Sequence, residues 1–210
     1  METLKKLAFT TLCISLLCQV HIEVMGQDYK LLQEAFSNSY TLETAGKYTA
    51  ACDALRKVYD ENSYEINVRL GWLSYLAGQF TESIAYYNIA IQLMPLSIEA
   101  RLGYVYPASA MGNWDQVTAK YQEILKLDAS NYTANYRLGS IYYSRKEYEQ
   151  AYRHFEKLIN GYPFDYDALH MFAWTNYQMG KLREAKVLFN KTLLNKPGDA
   201  SATEGLGLIK

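Results

Sequence analysis

Residues that favour helix N-caps recur at Ser63, Ser97, Asn131, Asp165 and Asp199, each 34 residues after the one before. A fixed period of that length means a stacked repeat array, because one supersecondary unit cannot bury its apolar face alone and must lean on the next. Pro95, Pro163 and Pro197 stand two residues ahead of three of these caps, where proline ends one helix and turns the chain into another. Nineteen residues before a cap stands Gly78, Gly112 or Gly180, with Lys146 in the same place ahead of Asp165. Each unit therefore reads as a cap, a helix of about fourteen residues, a glycine turn and a second helix of similar length. Gly46 lies only 17 residues before Ser63, which predicts a shorter second helix in the first unit.

The second helices carry apolar stripes at helical spacing, such as Phe80, Ile84, Tyr87 and Ile91, and again Tyr148, Ala151, Tyr152, Phe155 and Ile159. Small residues recur where paired helices must approach: Gly71, Gly139 and Ala173 in first helices, Ser83, Ala151 and Ala185 in second. No stretch alternates with period two over the length of a strand, so the repeat region is expected to be all helix. Half of the 210 residues are hydrophobic and a fifth are charged, enough to build a core and too apolar for disorder. The net charge is −1, with no basic run, which argues against nucleic acid or anionic lipid as the main partner.

The first 26 residues have the layout of a secretory signal. Lys5 and Lys6 precede an apolar stretch from Leu7 to Val20, and Val24 and Gly26 occupy the small-residue positions of a cleavage site. Cleavage there leaves residues 27–210, beginning at Gln27, in the periplasm or outside the cell. Thr10, Thr11 and Ser15 interrupt the apolar stretch, which is short for a membrane span. Leucine precedes both Cys13 and Cys18, so an acylated lipoprotein is the weaker alternative. Only Cys52 then remains, without a disulfide partner, and reads as core filler.

In the pattern of Leu70, Gly71, Gly78, Phe80, Tyr87, Ala90 and Pro95, and of Leu138, Gly139, Tyr142, Tyr148, Ala151, Phe155 and Pro163, the sequence resembles the tetratricopeptide repeat family. The resemblance covers five units, near residues 32–63, 64–97, 98–131, 132–165 and 166–199, with a partial closing helix over 200–210. It implies an all-α, right-handed superhelical solenoid of antiparallel helix pairs. The large aromatic residue usual near the start of the first helix is replaced by Asn67, Arg101, Asn135 and Leu169. Repeat three departs furthest, with Val105 and Val117 at both small positions.

The family geometry places the fifth, ninth and twelfth residues of each first helix on a concave surface. Those positions hold Phe36, Tyr40 and Glu43; Val68, Trp72 and Tyr75; Leu102, Tyr106 and Ser109; Tyr136, Ser140 and Tyr143; and His170, Trp174 and Tyr177. Nine of the fifteen are aromatic, where the chain's own 14 % aromatic content would supply about two, so the resemblance implies a groove offering large, rigid contact area. The alternative is that these rings pack on neighbouring first helices. The family's lysine clamp for C-terminal carboxylates is missing, and an apolar or aromatic peptide segment or a partner's helix suits the groove better. Sugar stacking on Trp72 and Trp174 has no further support.

Pro107 falls inside the first helix of repeat three, opposite the carbonyl of Gly103, and predicts a kinked but continuous helix. The mature segment holds two histidines, His154 and His170, and one cysteine, which offers neither a metal cluster nor a nucleophile pair; no phosphate loop is present. His154 reads as a surface residue. The expectation is a non-catalytic protein-binding adaptor with no cofactor or metal, or alternatively a structural or chaperone-like subunit of a cell-envelope complex. Gly205 and Gly207 weaken the closing helix, so the C-terminal end is expected to fray and to leave Phe172, Leu188 and Leu193 available for self-association.

Overall fold

Each N-cap expected from the 34-residue frame accepts the backbone N–H three residues on: Ser63 from Ile66, Ser97 from Ala100, Asn131 from Ala134, Asp165 from Ala168 and Asp199 from Ala202. The computed structural model describes residues 29–209, and the export segment inferred at residues 1–26 lies outside them. Every regular element among the described residues is helical. The chain divides into two compact units, one ending at Pro95 and one beginning at Leu96.

The first unit contains α1 (residues 29–44), α2 (Tyr48–Arg56), α3 (Tyr64–Leu76) and α4 (Phe80–Leu93). At nine residues, α2 is short, as the early Gly46 turn predicts. Its core gathers Ala51, Cys52 and Leu55 of α2 against Ile66, Leu70 and Leu73 of α3. Cys52 is fully buried beside the Ser74 hydroxyl, and burial pushes its thiol pKa up, as expected of core filler. Gly78 closes α3 with φ +76°. Its N–H reaches the Tyr75 carbonyl and that of Gln79 reaches Ser74, so two carbonyls at the helix end are satisfied by a left-handed residue.

The second unit contains α5 (Ile98–Ala110), α6 (Trp114–Leu127), α7 (Tyr132–Ser144), α8 (Tyr148–Gly161), α9 (Tyr166–Gln178), α10 (Leu182–Asn195) and α11 (Ala200–Leu208). Consecutive helices pair, α7 with α8 and α9 with α10, around Phe155 and Phe189, both fully buried. α5 runs unbroken through Pro107, which is buried. Lys146 closes α7 with φ +62° and makes the same two backbone bonds as Gly78, so a residue with a Cβ is held where glycine is easier.

Small residues govern how closely the pairs approach. A Cβ on Gly71 would stand 2.9 Å from the Tyr87 ring, and one on Gly139 2.8 Å from the Phe155 ring, so in each pair an aromatic ring lies directly on bare backbone. Ser83 adds a 2.6 Å bond from its hydroxyl to the Gly71 carbonyl.

Three of the residues that replace the usual aromatic at the fourth position tie loops instead, while the other, Leu169, is buried in the core. Asn67 donates to the carbonyls of Glu61 and Ser63, Asn135 to those of Ala129 and Asn131, and Arg101 to that of Ser97. A second tie joins repeats: the Tyr132 hydroxyl donates to Asp165 at 2.6 Å, and that of Tyr166 to Asp199 at 2.7 Å. Each acceptor is the cap of the following repeat, so one carboxylate both starts a helix and holds its neighbour. The Tyr166 bond, followed by the Ala202 N–H, holds the Asp199 carboxyl down to about 2. Repeat three has Ile98 in the tyrosine position and lacks the hydroxyl.

Two expectations are corrected. The closing helix does not leave a bare end: α11 buries Ala202 and Gly205, and Phe172 and Leu188 are each only 8 % exposed. Gly205, expected to weaken the helix, lets α11 lie against Phe189, whose ring a Cβ there would overlap. His154 is half-buried rather than on the surface: its ring stacks on Tyr142 at 5.6 Å and its Nδ1 meets the Asn135 Oδ1 at 3.0 Å.

Candidate functional site

Repeat three is built differently from its neighbours, and the difference makes a cavity. Val105 stands where Gly71 and Gly139 stand in the flanking repeats, Val117 where Ser83 and Ala151 stand, and Tyr121 where Tyr87 and Phe155 stand. The isopropyl group of Val105 fills the space that the aromatic ring enters in those repeats. Tyr121, at the position of Phe155, is buried at 6 % exposure. Polar bridges link α5 to α6: Tyr104 donates to Gln116 at 2.8 Å, and Arg101 binds Glu123, a carboxylate that Lys120 also holds within α6. A depression of about 720 Å³ opens at this point, bounded by α5, α6 and α7.

Val105, Val117 and Tyr121 line it, together with Leu102, Tyr106 and Ser109, the three positions of repeat three expected to face a groove. Tyr106 is 51 % exposed and Trp114, on the α6 side, 50 %. From α7 come Ser140, also an expected groove residue, and Ile141, Arg137 and Arg145. The size is that of a site for a few side chains, and the apolar wall with a small number of polar groups is the usual make-up of a binding pocket.

The other expected groove residues are distributed differently. In the first unit, Trp72 donates its indole N–H to Glu43 at 2.7 Å, and Arg69 reaches the same carboxylate at 2.6 Å. The Arg69 guanidinium also lies over the Tyr40 ring, 3.7 Å from its centre, and its Nε donates to Ser39. Tyr75 packs on Trp72 and Phe80. Val68 is half-buried. Tyr40 stays 54 % exposed, and Phe36 lines a separate depression of about 830 Å³ beside Tyr59 and Ile66. Arg69, which organises this face, has no counterpart among the fifteen positions read from the sequence, because it lies one residue beyond the expected stripe.

In the second unit, Tyr136 stacks on Tyr132 and meets Phe155 edge-on, and Tyr143 meets Tyr148 in the same way. Trp174 packs edge-on against Phe189 and Tyr177. Its indole N–H donates to the Ser201 hydroxyl at 2.9 Å, which lies 2.8 Å from the His170 Nε2. His170 and Trp174 therefore hold the closing helix. Burial pushes the pKa of His170 below its ordinary value, which favours the neutral ring able to accept from Ser201. Among the described residues no group of three His, Cys, Asp or Glu side chains is placed to hold a metal ion, and no helix is long and apolar enough to cross a membrane.

Comparison with known proteins is consistent with this geometry. Two family profiles described as tetratricopeptide repeat match residues 39–97 and 133–164. Among curated proteins, the TPR repeat-containing thioredoxin TTL4 of Arabidopsis thaliana is 27 % identical over 119 residues, 57 % of this chain but only 17 % of that protein. Among solved structures, a tetratricopeptide repeat protein from Parabacteroides merdae superposes with a TM-score of 0.72 at 19 % identity, covering 84 % of this chain and 71 % of that one. MamA gives 0.69 at 22 % identity, covering 81 % and 94 %. YrrB, described as a TPR protein with an unusual peptide-binding site, gives 0.63 at 17 % identity, covering 77 % and 81 %.

Proposed function

Because the chain belongs to the tetratricopeptide repeat family, whose members are generally non-catalytic scaffolds for other proteins, we propose that it is an exported adaptor. In this reading it docks a segment of a partner protein in the depression between α5 and α7. The observation that carries the reading is the placement of Leu102, Tyr106, Ser109 and Ser140 around one 720 Å³ hollow, with Tyr106 half-exposed at its edge. Aromatic rings of this kind supply contact area at low entropic cost. The peptide-binding description of YrrB supports the class of ligand, and the signal-like segment ending at Gly26 supports export.

The test is capture of partners from envelope extract by the exported chain and by Leu102→Ala and Tyr106→Ala variants. The reading expects capture to fall more than tenfold in the double variant while the helical spectrum is unchanged. Capture indifferent to both changes refutes it, and one stoichiometric partner retained by the double variant favours a structural subunit of an envelope complex. Mass spectrometry of the exported form should show a chain beginning at Gln27 and carrying no lipid. Retention of residues 1–26, or an acylated Cys18, refutes that part.

A further inference from the structure

We propose that the depression at repeat three takes an extended segment of a partner in which two acidic side chains, about four residues apart, bracket an aromatic one; this rests on the docking reading above. The lining contains Arg137 and Arg145, and neither aspartate nor glutamate is among the residues that bound it. Arg137 has no carboxylate at ion-pair distance among the described residues. Arg145 meets Asp115 at 3.4 Å, but that aspartate side chain is fully exposed, so the pair is weak and readily exchanged for another carboxylate. The site thus presents two guanidinium groups beside an apolar wall, and guanidinium recognises carboxylate through paired N–H donors.

The spacing selects the form of the ligand. Arg137 and Arg145 are eight residues apart along α7 and its cap, about 12 Å at the helical rise. With the side chains directed outward along the wall, each arginine is taken to hold a carboxylate of its own. An extended peptide advances about 3.3 Å per residue, so side chains four residues apart span about 13 Å and match the two arginines. The residue midway between them falls beside Tyr106, Val105 and Ile141, where the cavity is apolar and a phenyl or indole ring fits.

The test is fluorescence anisotropy of a labelled, end-blocked peptide Gly-Asp-Ser-Phe-Ser-Asp-Gly with the full chain, against the same peptide with both aspartates changed to asparagine. The Asp peptide should bind about tenfold more tightly than the Asn peptide, with the advantage falling as salt is raised. Arg137→Gln and Arg145→Gln should each weaken the Asp peptide about threefold and leave the Asn peptide unchanged; both side chains are exposed, so folding is not at stake. If both peptides bind equally, the arginine variants make no difference and Tyr106→Ala abolishes binding, the docking reading stands and the acidic preference is overturned. If neither peptide binds, both are overturned.

Discussion

Two glycines in the closing helix should respond to the same substitution with opposite sign. Gly205→Ala and Gly207→Ala both gain helix propensity, about 1 kcal/mol in a helix interior and about half that near the end where Gly207 lies. Around Gly207 there is open space, with nothing within 4 Å of an added Cβ. At Gly205 the new methyl overlaps the Phe189 ring, which is fully buried and braced edge-on by Trp174 at 5.0 Å. That ring has nowhere to go, so the overpacking cost is at the upper end of the usual range, about 3 kcal/mol, and exceeds the propensity gain by about 2 kcal/mol. For a chain of this size about 1 kcal/mol moves the melting temperature by roughly 2–4 °C. Calorimetry should therefore show Gly205→Ala melting about 4–8 °C below the parent and Gly207→Ala 1–2 °C above it. If Gly205→Ala is stabilising to the same degree as Gly207→Ala, α11 is not docked on Phe189 and the account of the closing helix fails.

Lys146→Gly should stabilise the chain by about 0.5–1 kcal/mol in urea unfolding, because it removes a Cβ from a residue held at φ +62°; unchanged or lower stability would show that no strain is stored there. Tyr132→Phe should cost about 1 kcal/mol through loss of the bond to Asp165, while Asp165 keeps its cap on α9, and an unaffected melting curve would remove the inter-repeat tie from the account. His154 and His170 are held neutral by burial, with folded values below the ordinary 6.5, so their stabilisation is present above about pH 6.5 and is lost as pH falls below it. Protection of α11 amides against hydrogen exchange, referred to the intrinsic rate at each pH, should fall over that window in the parent and less in His170→Asn, and parent protection insensitive to pH there would contradict the His170 to Ser201 contact. Asp199, held at about 2, adds stability above pH 4 that is lost between about pH 4 and 2, so a second acid transition is expected.

The repeat frame was readable because its signals are local. A cap satisfies its own helix, a glycine adopts its own φ, and both recur at 34 residues whatever surrounds them. The inter-repeat ties were readable in principle, since Tyr132 to Asp165 and Tyr166 to Asp199 each span 33 residues, but nothing in a single tyrosine says that its hydroxyl reaches the next cap. The candidate site was half readable. Leu102, Tyr106, Ser109 and Ser140 come from the positions that the family resemblance implies, whereas Val117, Tyr121, Trp114 and the two arginines emerge only from the packing of α5, α6 and α7 around the hollow. Val105 and Val117 stand out as irregular in the sequence, yet whether such a pair collapses or opens depends on where Tyr121 lies. The stripe of rings was equally visible at Trp72, Tyr136 and Trp174, and there the rings found partners in Glu43, Phe155 and Ser201 that spacing alone does not reveal.

The central claim is that partners dock in the hollow at repeat three. Its most direct test places a photo-crosslinking amino acid at Tyr106, at the edge of the hollow, and in a separate protein at Val187, which is 56 % exposed on α10. On illumination in envelope extract, the probe at position 106 should capture a defined partner band that the unlabelled chain competes away, and the probe at 187 should capture little. A partner caught from position 187 and not from 106 would contradict the account.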